Sequence, residues 1–480
     1  MNRKLLAMAG WLLPIIVFGS VFFAFHEQQT STVADPPNVI LVYFDDMGFG
    51  DLGRTGAVGY QTPNLDQMAK DGMFLSQFLS PQAVCSASRA GLLTGCYPNR
   101  IGFSGALDHT AHVGISDQEE TIGQMLKKQG YATAVYGKWH LGHLPQFLPP
   151  RHGFDEYLGI PYSHDMWPNH PTAKNYYPPL PLIENETVIE TNPDQSQFTT
   201  MFTEKTIDFI KRHQDGPFFV YLAHPMPHVP LAVSDKFKGK SEQGMYGDVI
   251  MELDWSIGQI RKTLDELGLA ENTLMIVTSD NGPWINYGNH AGSTGGLREG
   301  KGTSFEGGQR EPCLAVWPGK IPAGVVSNRL SSAIDVLPTI AEVTGAALPE
   351  HHIDGVSIWN VLRGDPNANP RTTFYYYYRR NNLEAVRHGN WKLVFPHPGR
   401  TYEGFTPGKD GMPGPNNENF NFEGGLYDLR RDPGERYNVK FANPDIVREL
   451  ERLADEARKD LGDELTGVEG ANRRPIGKAE

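Results

Sequence analysis

A chain of 480 residues is too long for one small core and long enough for a large domain with a smaller one beside it. Its make-up is globular, 39% hydrophobic and 21% charged, with 24 Phe, 19 Tyr and 8 Trp to fill interiors and 52 Gly and 36 Pro to shape loops. A formal net charge of −13 without any Lys/Arg block argues against nucleic acid as a partner, and leaves room for a small anion in a local cationic pocket.

Taken in chain order, Arg3 and Lys4 precede an uncharged run over residues 5–25, and Thr32-Val33-Ala34 offers a small-residue cleavage site. Residues 1–34 therefore read as a signal peptide or a membrane anchor. Both readings put the rest of the chain outside the cytoplasm, as a periplasmic, secreted or membrane-anchored protein. Three cysteines, Cys85, Cys96 and Cys313, cannot build a disulfide scaffold at this length. They stand alone or as one pair plus one, either as small buried hydrophobes or with one thiol kept for chemistry.

Near-continuous apolar runs at 38–44, 132–136, 218–223 and 274–278 read as buried strands of a mostly parallel sheet. Helices are expected between them at 64–71, 120–129, 199–212 and 245–267, the last with Ile250, Leu253, Ile257, Ile260 and Leu264 in one stripe. From about residue 350 the pattern changes to short strands at 374–379, 383–387, 391–395 and 426–429, followed by a charged helix at 445–461. The expected architecture is α/β: a large mostly parallel, mixed sheet flanked by helices over 36–350, then a smaller α+β domain over 351–480 containing an antiparallel sheet.

Polar residues gather after each buried strand: Asp45-Asp46, Gly137-Lys138-Trp139-His140, His224 with His228, and Ser279-Asp280-Asn281. In an open α/β sheet the ligand crevice lies at the carboxyl ends of the strands, so four strands deliver acids, a lysine and histidines to one edge. Asp45, Asp46, Asp280 and Asn281 are hard oxygen donors, and crowded carboxylates call for a cation such as Ca²⁺ or Mg²⁺. Capping of a turn is the plainer role for any one of these acids. The segment from Pro81 to Gly95 places Cys85 at an expected helix start with Arg89 on the same face, which reads locally as an activated thiol beside a cation.

Cys85-Ser86-Ala87-Ser88-Arg89 followed by Leu93-Thr94-Gly95 resembles the type I sulfatase signature of the alkaline-phosphatase-like superfamily. Further blocks match in order: Asp45-Asp46-Met47-Gly48, Gly137-Lys138-Trp139-His140-Leu141-Gly142, Ile160-Pro161-Tyr162-Ser163-His164-Asp165, Asp280-Asn281-Gly282, Gly300-Lys301-Gly302-Thr303, Leu426-Tyr427-Asp428-Leu429 and Asp432-Pro433-Gly434-Glu435. The resemblance implies that a maturation enzyme converts Cys85 to 3-oxoalanine (C-formylglycine). It implies further that Asp45, Asp46, Asp280 and Asn281, with the modified residue 85, hold Ca²⁺, and that Arg89 stabilises the hydrated aldehyde. Lys138, Ser163, His228 and Lys301 would bind sulfate oxygens, with Lys301 or His228 as the acid and His140 bonded to the formylglycine hydroxyl. The implied substrate is an aryl or carbohydrate sulfate ester, including sulfated glycans. A formylglycine-dependent phosphomonoester, phosphonate or phosphodiester hydrolase, or a sulfated-glycan binding protein with unconverted Cys85, are the alternatives. Two positions depart from the family pattern: Ala87 stands where Pro is usual, and Cys96 where Arg or Lys is common.

Overall fold

The computed structural model describes residues 36–479. Residues 1–34, read above as a signal peptide or anchor, lie outside the described residues; among the described ones no helix is long and apolar enough to cross a membrane. The segment Pro36–Glu480 forms one compact unit.

Its scaffold is an 11-stranded mixed sheet. In chain order the strands are β1 (Asn38–Phe44), β2 (Met73–Leu79), β3 (Ala132–Lys138), β4 (Glu156–Ile160), β5 (Pro181–Glu184), β6 (Thr187–Thr191), β7 (Phe218–Ala223), β8 (Thr273–Ser279), β9 (Arg310–Val316) and β10 (Val325–Ser327). Across the sheet they run β10-β2-β9-β8-β1-β7-β3-β4-β5-β6, with the short strand Ser331–Ser332 also paired to β2. The middle strands β8, β1, β7, β3 and β4 are parallel, whereas β9 is antiparallel to both β8 and β2.

Successive residues of a strand face opposite sides of the sheet, and here both sides are covered. Val39, Leu41 and Tyr43 join one core, and Ile40, Val42 and Phe44 the other. The helices α2 (Cys85–Thr94), α3 (Ile122–Lys127) and α6 (Val336–Thr344) cover the first side. The helices α1 (Pro63–Asp71), α4 (Phe198–Arg212) and α5 (Met245–Glu266) cover the second. The expected stripe on α5 is buried in full, from Ile250 to Leu264. Helix α3 is shorter than the expected 120–129, because Thr121 closes a capping box with Gln124 and fixes its start.

The strands β2, β4 and β9 and the β5–β6 hairpin carry no clear signal in the sequence. Strand β9 opens Arg310-Glu311-Pro312, a sequence that argues against a strand; the proline is tolerated because the register shifts between Glu311 and Cys313. The tail forms an antiparallel sheet of Thr373–Tyr378, Asn382–His388, Trp391–Val394 and Gly425–Asp428, backed by the helix Pro444–Leu461. A bulge between Tyr376 and Tyr377 breaks the alternation, so both tyrosines are buried in the core rather than offered as a surface platform.

A fully buried ion cluster ties this sheet to the large one. Glu306 accepts from Arg310 Nε (2.7 Å), from the Tyr376 hydroxyl (2.6 Å) and from Lys392 Nζ (3.2 Å). Lys392 also pairs with Glu435 at 2.8 Å, and Glu435 accepts the Glu306 backbone N–H at 2.7 Å. Burial opposes the Glu306 charge, but Arg310, Lys392 and Arg387 outweigh it and hold its carboxyl well below the usual range.

Gly137, one residue before Lys138, has φ +115°, and a Cβ there would lie 1.9 Å from the Ala223 carbonyl oxygen on the neighbouring strand. Gly137→Ala is therefore expected to lower stability by about 3 kcal/mol or more. A urea midpoint unchanged from wild type would show that β3 and β7 can move apart there.

Candidate active site

Five strands and one helix bring the site together. Asp45 and Asp46 follow β1, Asp280 and Asn281 follow β8, Lys138 ends β3, Ser163 follows β4 and His228 follows β7. Cys85 is the first residue of α2, where free backbone N–H groups favour an anion. Lys301 arrives on the loop between β8 and β9. All eleven side chains singled out in the sequence are buried.

Three carboxylates face three cations here. Arg89 donates Nε and Nη2 to Asp280 Oδ2 at 3.0 and 2.7 Å, Nη1 to the Lys138 carbonyl at 3.0 Å, and lies 3.5 Å from Asp45 Oδ2. Lys138 Nζ is paired with Asp45 and lies 3.2 Å from Ser163 Oγ. Lys301 Nζ bonds both oxygens of Asp46 at 2.7 and 2.9 Å, reaches Cys85 Sγ at 3.4 Å and sits 4.7 Å above the Trp284 ring. Asn281 donates its amide to Asp46 Oδ1 at 2.7 Å, while its own Oδ1 is buried without a partner.

These neighbours split the carboxylates. Burial raises the pKa of Asp45, yet Lys138 first, with Arg89 and Lys301, overcomes it and holds the group well below the usual range. Asp46 is pushed up to about 7 by burial, with repulsion from Asp45 and Asp280 adding to it against Lys301. Asp280 is raised by burial and by Asp45. One ligand atom each from Asp45, Asp46, Cys85 and His228 lies within 4.8 Å of the others, a group able to hold a metal ion.

The expectation of an activated thiol beside Arg89 is not met. The guanidinium is turned to Asp280 and the Lys138 carbonyl, and it is the Lys301 ammonium that reaches the sulfur. Burial first, and then Asp45, push the Cys85 thiol well above its ordinary pKa, so the unmodified side chain is neutral. All three cysteines are free and buried. Cys96 lacks the cation usual at its position, but Arg474 from the chain's tail brings its Nη2 to 3.3 Å from the sulfur and pairs with Glu119.

The histidines sort by their partners. His140 Nε2 lies 2.8 Å from the Leu107 carbonyl, so that nitrogen carries the proton and the buried, unpartnered Nδ1 is a bare acceptor. His228 Nδ1 donates to the Val229 carbonyl, which leaves Nε2 bare, 3.7 Å from Asp46. Burial, then the nearby lysines, keep both rings neutral. His224 is bonded to Ser256 Oγ at 3.1 Å and stacks on Phe44, within the core of the second sheet face. Sequence reasoning missed His164, whose ring is 5.4 Å from that of His228, and Trp284, 5.7 Å from it. His164 stands in a block already tied to the site; Trp284 follows Asp280-Asn281-Gly282-Pro283 and could have been suspected by adjacency alone.

The family described as "Sulfatase" matches residues 37–346, and the family described as "C-terminal region of aryl-sulfatase" matches residues 369–475. This chain belongs to the sulfatase family. It is 38% identical to N-acetylgalactosamine-6-sulfatase of Canis lupus familiaris over 93% of this chain and 89% of that protein. It is 39% identical to arylsulfatase A of Bos taurus, over 87% of this chain and 86% of that one. Among solved structures, a Bacteroides thetaiotaomicron protein described under the metabolism of multiple glycosaminoglycans superposes with a TM-score of 0.76 and 29% identity, covering 88% of this chain and all of that one. The sulfatase fold, a mixed sheet between helices with an antiparallel sheet at the C-terminus, is thus common to this chain and its relatives.

Arg89→Met would leave Asp280 buried beside Asp45 without its main cation, and is expected to cost about 3–5 kcal/mol. Denaturation of the variant in urea at neutral pH measures this. A loss below about 1 kcal/mol would mean that Lys138 takes over the carboxylate.

Proposed function

We propose that the protein is an exported sulfatase that hydrolyses sulfate esters of carbohydrates, with residue 85 matured to formylglycine beside a bound calcium ion. One observation carries this reading: a buried cysteine at a helix start, within reach of both the carboxylate cluster and Lys301. The family membership and the name of the N-acetylgalactosamine-6-sulfatase relative support a sulfated sugar as substrate.

The residues fit a hard cation. Three buried carboxylates repel one another and Asn281 Oδ1 has no partner; once residue 85 is matured its donor too would be an oxygen, leaving His228 as the one nitrogen in reach, a set that favours Ca²⁺ over Zn²⁺. Asp45, Asp46, Asp280, Asn281 and the modified residue 85 would hold it, and it would polarise the sulfate oxygens. The formylglycine hydrate would supply a hydroxyl to attack sulfur and a second one whose deprotonation releases sulfate.

The remaining work falls to side chains with stated atoms. Lys138 and Lys301 bring ammonium groups, and Ser163 a hydroxyl, to the sulfate oxygens as charge develops on them. Burial opposes the charge on both lysines, but Asp45 and Asp46 outweigh it, so both are protonated. Lys301 therefore has a proton for the departing alcohol, whereas His228 presents a lone pair at Nε2. His140, with a bare Nδ1 and its other nitrogen tied to Leu107, is placed to take a proton at the release of sulfate. Arg89 holds Asp280 and the end of β3 in register.

Mass spectrometry of the tryptic peptide spanning residues 71–89, from protein made in its native host, should find the aldehyde or its hydrate at position 85. Only free thiol in an inactive protein would sink the proposal in favour of a binding protein. Matched aryl sulfate and aryl phosphate substrates should show sulfate preferred; a large phosphate preference would move the protein to the phosphoester hydrolases. Lys301→Ala should lower kcat/KM about 10²–10³-fold, as removal of one preorganised donor does elsewhere. Chelation should abolish turnover and Ca²⁺ should restore it, and full activity in thoroughly stripped enzyme would exclude the metal assignment.

A further inference from the structure

Beside the catalytic lysine lies a second group of side chains that no step above uses. Trp284 lies under the Lys301 ammonium and meets the His228 ring at a tilt, and its ring centroid is 5.0 Å from that of Tyr287. Tyr287 is buried, and burial first, then the charge of Asp165, pushes the pKa of its hydroxyl up to about 12. Around Asp165 lie the other members of the group.

Those residues come from two loops. Asp165 follows Ser163 and His164; His170 Nε2 is 3.9 Å from its Oδ2, while its Oδ1 is buried with no hydrogen-bond partner. Tyr177 packs on the His170 ring at 5.3 Å and meets Tyr176 edge-on at 4.9 Å. From the other loop, His109 places its ring edge-on to both tyrosines at 5.9 and 5.2 Å, with Nδ1 buried and unpartnered. This loop is anchored at the site itself: Leu107 accepts from His140 and donates its N–H to Ser86 Oγ at 2.9 Å. Tyr176 is 68% exposed although it is packed against two other rings. A large exposed aromatic braced by two other rings, on the same loop as the partly exposed carboxylate of Asp165, suits a ligand with an apolar face and several hydroxyls.

We propose that Asp165, His109, Tyr176 and Tyr177 form a sugar subsite that holds the pyranose ring bearing, or adjoining, the sulfate ester. Tyr176 stacks on the ring's C–H face, the partly exposed carboxylate of Asp165 accepts from a ring hydroxyl or N-acyl N–H group, and His109 and Tyr177 brace the stacking ring. The inference rests on the sulfatase reading above and goes beyond it by naming the groups that choose sugars over aryl leaving groups.

The test compares Tyr176→Ala and Asp165→Asn with wild type on a sulfated N-acetylhexosamine and on an aryl sulfate. The expected result is a fall of at least tenfold in the sugar-to-aryl ratio of kcat/KM in each variant. Inhibition of aryl sulfate hydrolysis by the desulfated sugar should weaken by a similar factor. An unchanged ratio, whatever the absolute rates, would overturn the subsite, as would a wild-type enzyme that cleaves aryl sulfates but neither cleaves nor is inhibited by any of the sugars. A wild-type enzyme inactive on every sulfate ester would instead overturn the sulfatase reading, and binding of the desulfated sugar, measured by calorimetry on wild type and both variants, would then decide the subsite by itself.

Discussion

The structure turns on three carboxylates buried at one edge of a sheet whose two faces are both dry. Isolated, each of Asp45, Asp46 and Asp280 would be too costly to keep ionised so far from water. The chain answers with Arg89, Lys138 and Lys301, each drawn from a different element and each within salt-bridge distance of at least one carboxylate. Coverage of both sides by helices makes these interactions strong, because no water screens them. The same dryness makes the cluster intolerant: removal of any one member strands a charge.

Pairing of this kind also sets what the site can exchange. Lys138 and Lys301 are each bonded to an aspartate. A divalent cation among the carboxylates would satisfy them in place of the ammonium groups and free Lys138 and Lys301 for an anion. Arg89 differs, since its other donor is fixed to the Lys138 carbonyl, a backbone contact that no ligand displaces. The cationic trio thus divides into two groups that can change partner and one that cannot.

Much of this was legible in the sequence where a residue's role follows from the end of a buried strand. NVILVYF before Asp45-Asp46 and LMIVT before Asp280-Asn281 announce both the strands and the acids they carry, since an unbroken apolar run of that length is hard to place except in a doubly covered sheet. The tail sheet and its charged helix were legible for a similar reason, from the change in period and the turn residues. What stayed hidden depends on register or direction. Strand β9 hides behind Arg310-Glu311-Pro312, whose polar start is explained by a bulge and by the ion cluster around Glu306. The aim of Arg89 is set by where β8 and β3 end in space, so spacing along α2 alone suggested the thiol instead of Asp280. Tyr176 and Tyr177 belong to a loop without periodicity, and the packing of their rings on His109 joins segments more than sixty residues apart.

The contacts of the tail reach further than its distance along the chain suggests. The Tyr402 hydroxyl donates to the Lys301 carbonyl at 2.7 Å, and Lys392 Nζ donates to the Ser304 carbonyl at 2.8 Å. Glu435, in the Asp-Pro-Gly-Glu turn, fixes the backbone of Glu306 a few residues later. Three clamps from the last fifth of the chain therefore grip the short loop that aims one ammonium group. Exchange of this tail for a foreign one would therefore not be a neutral graft: it would bring its own grip on residues 301–306 and re-aim the Lys301 ammonium without altering any residue of the carboxylate cluster.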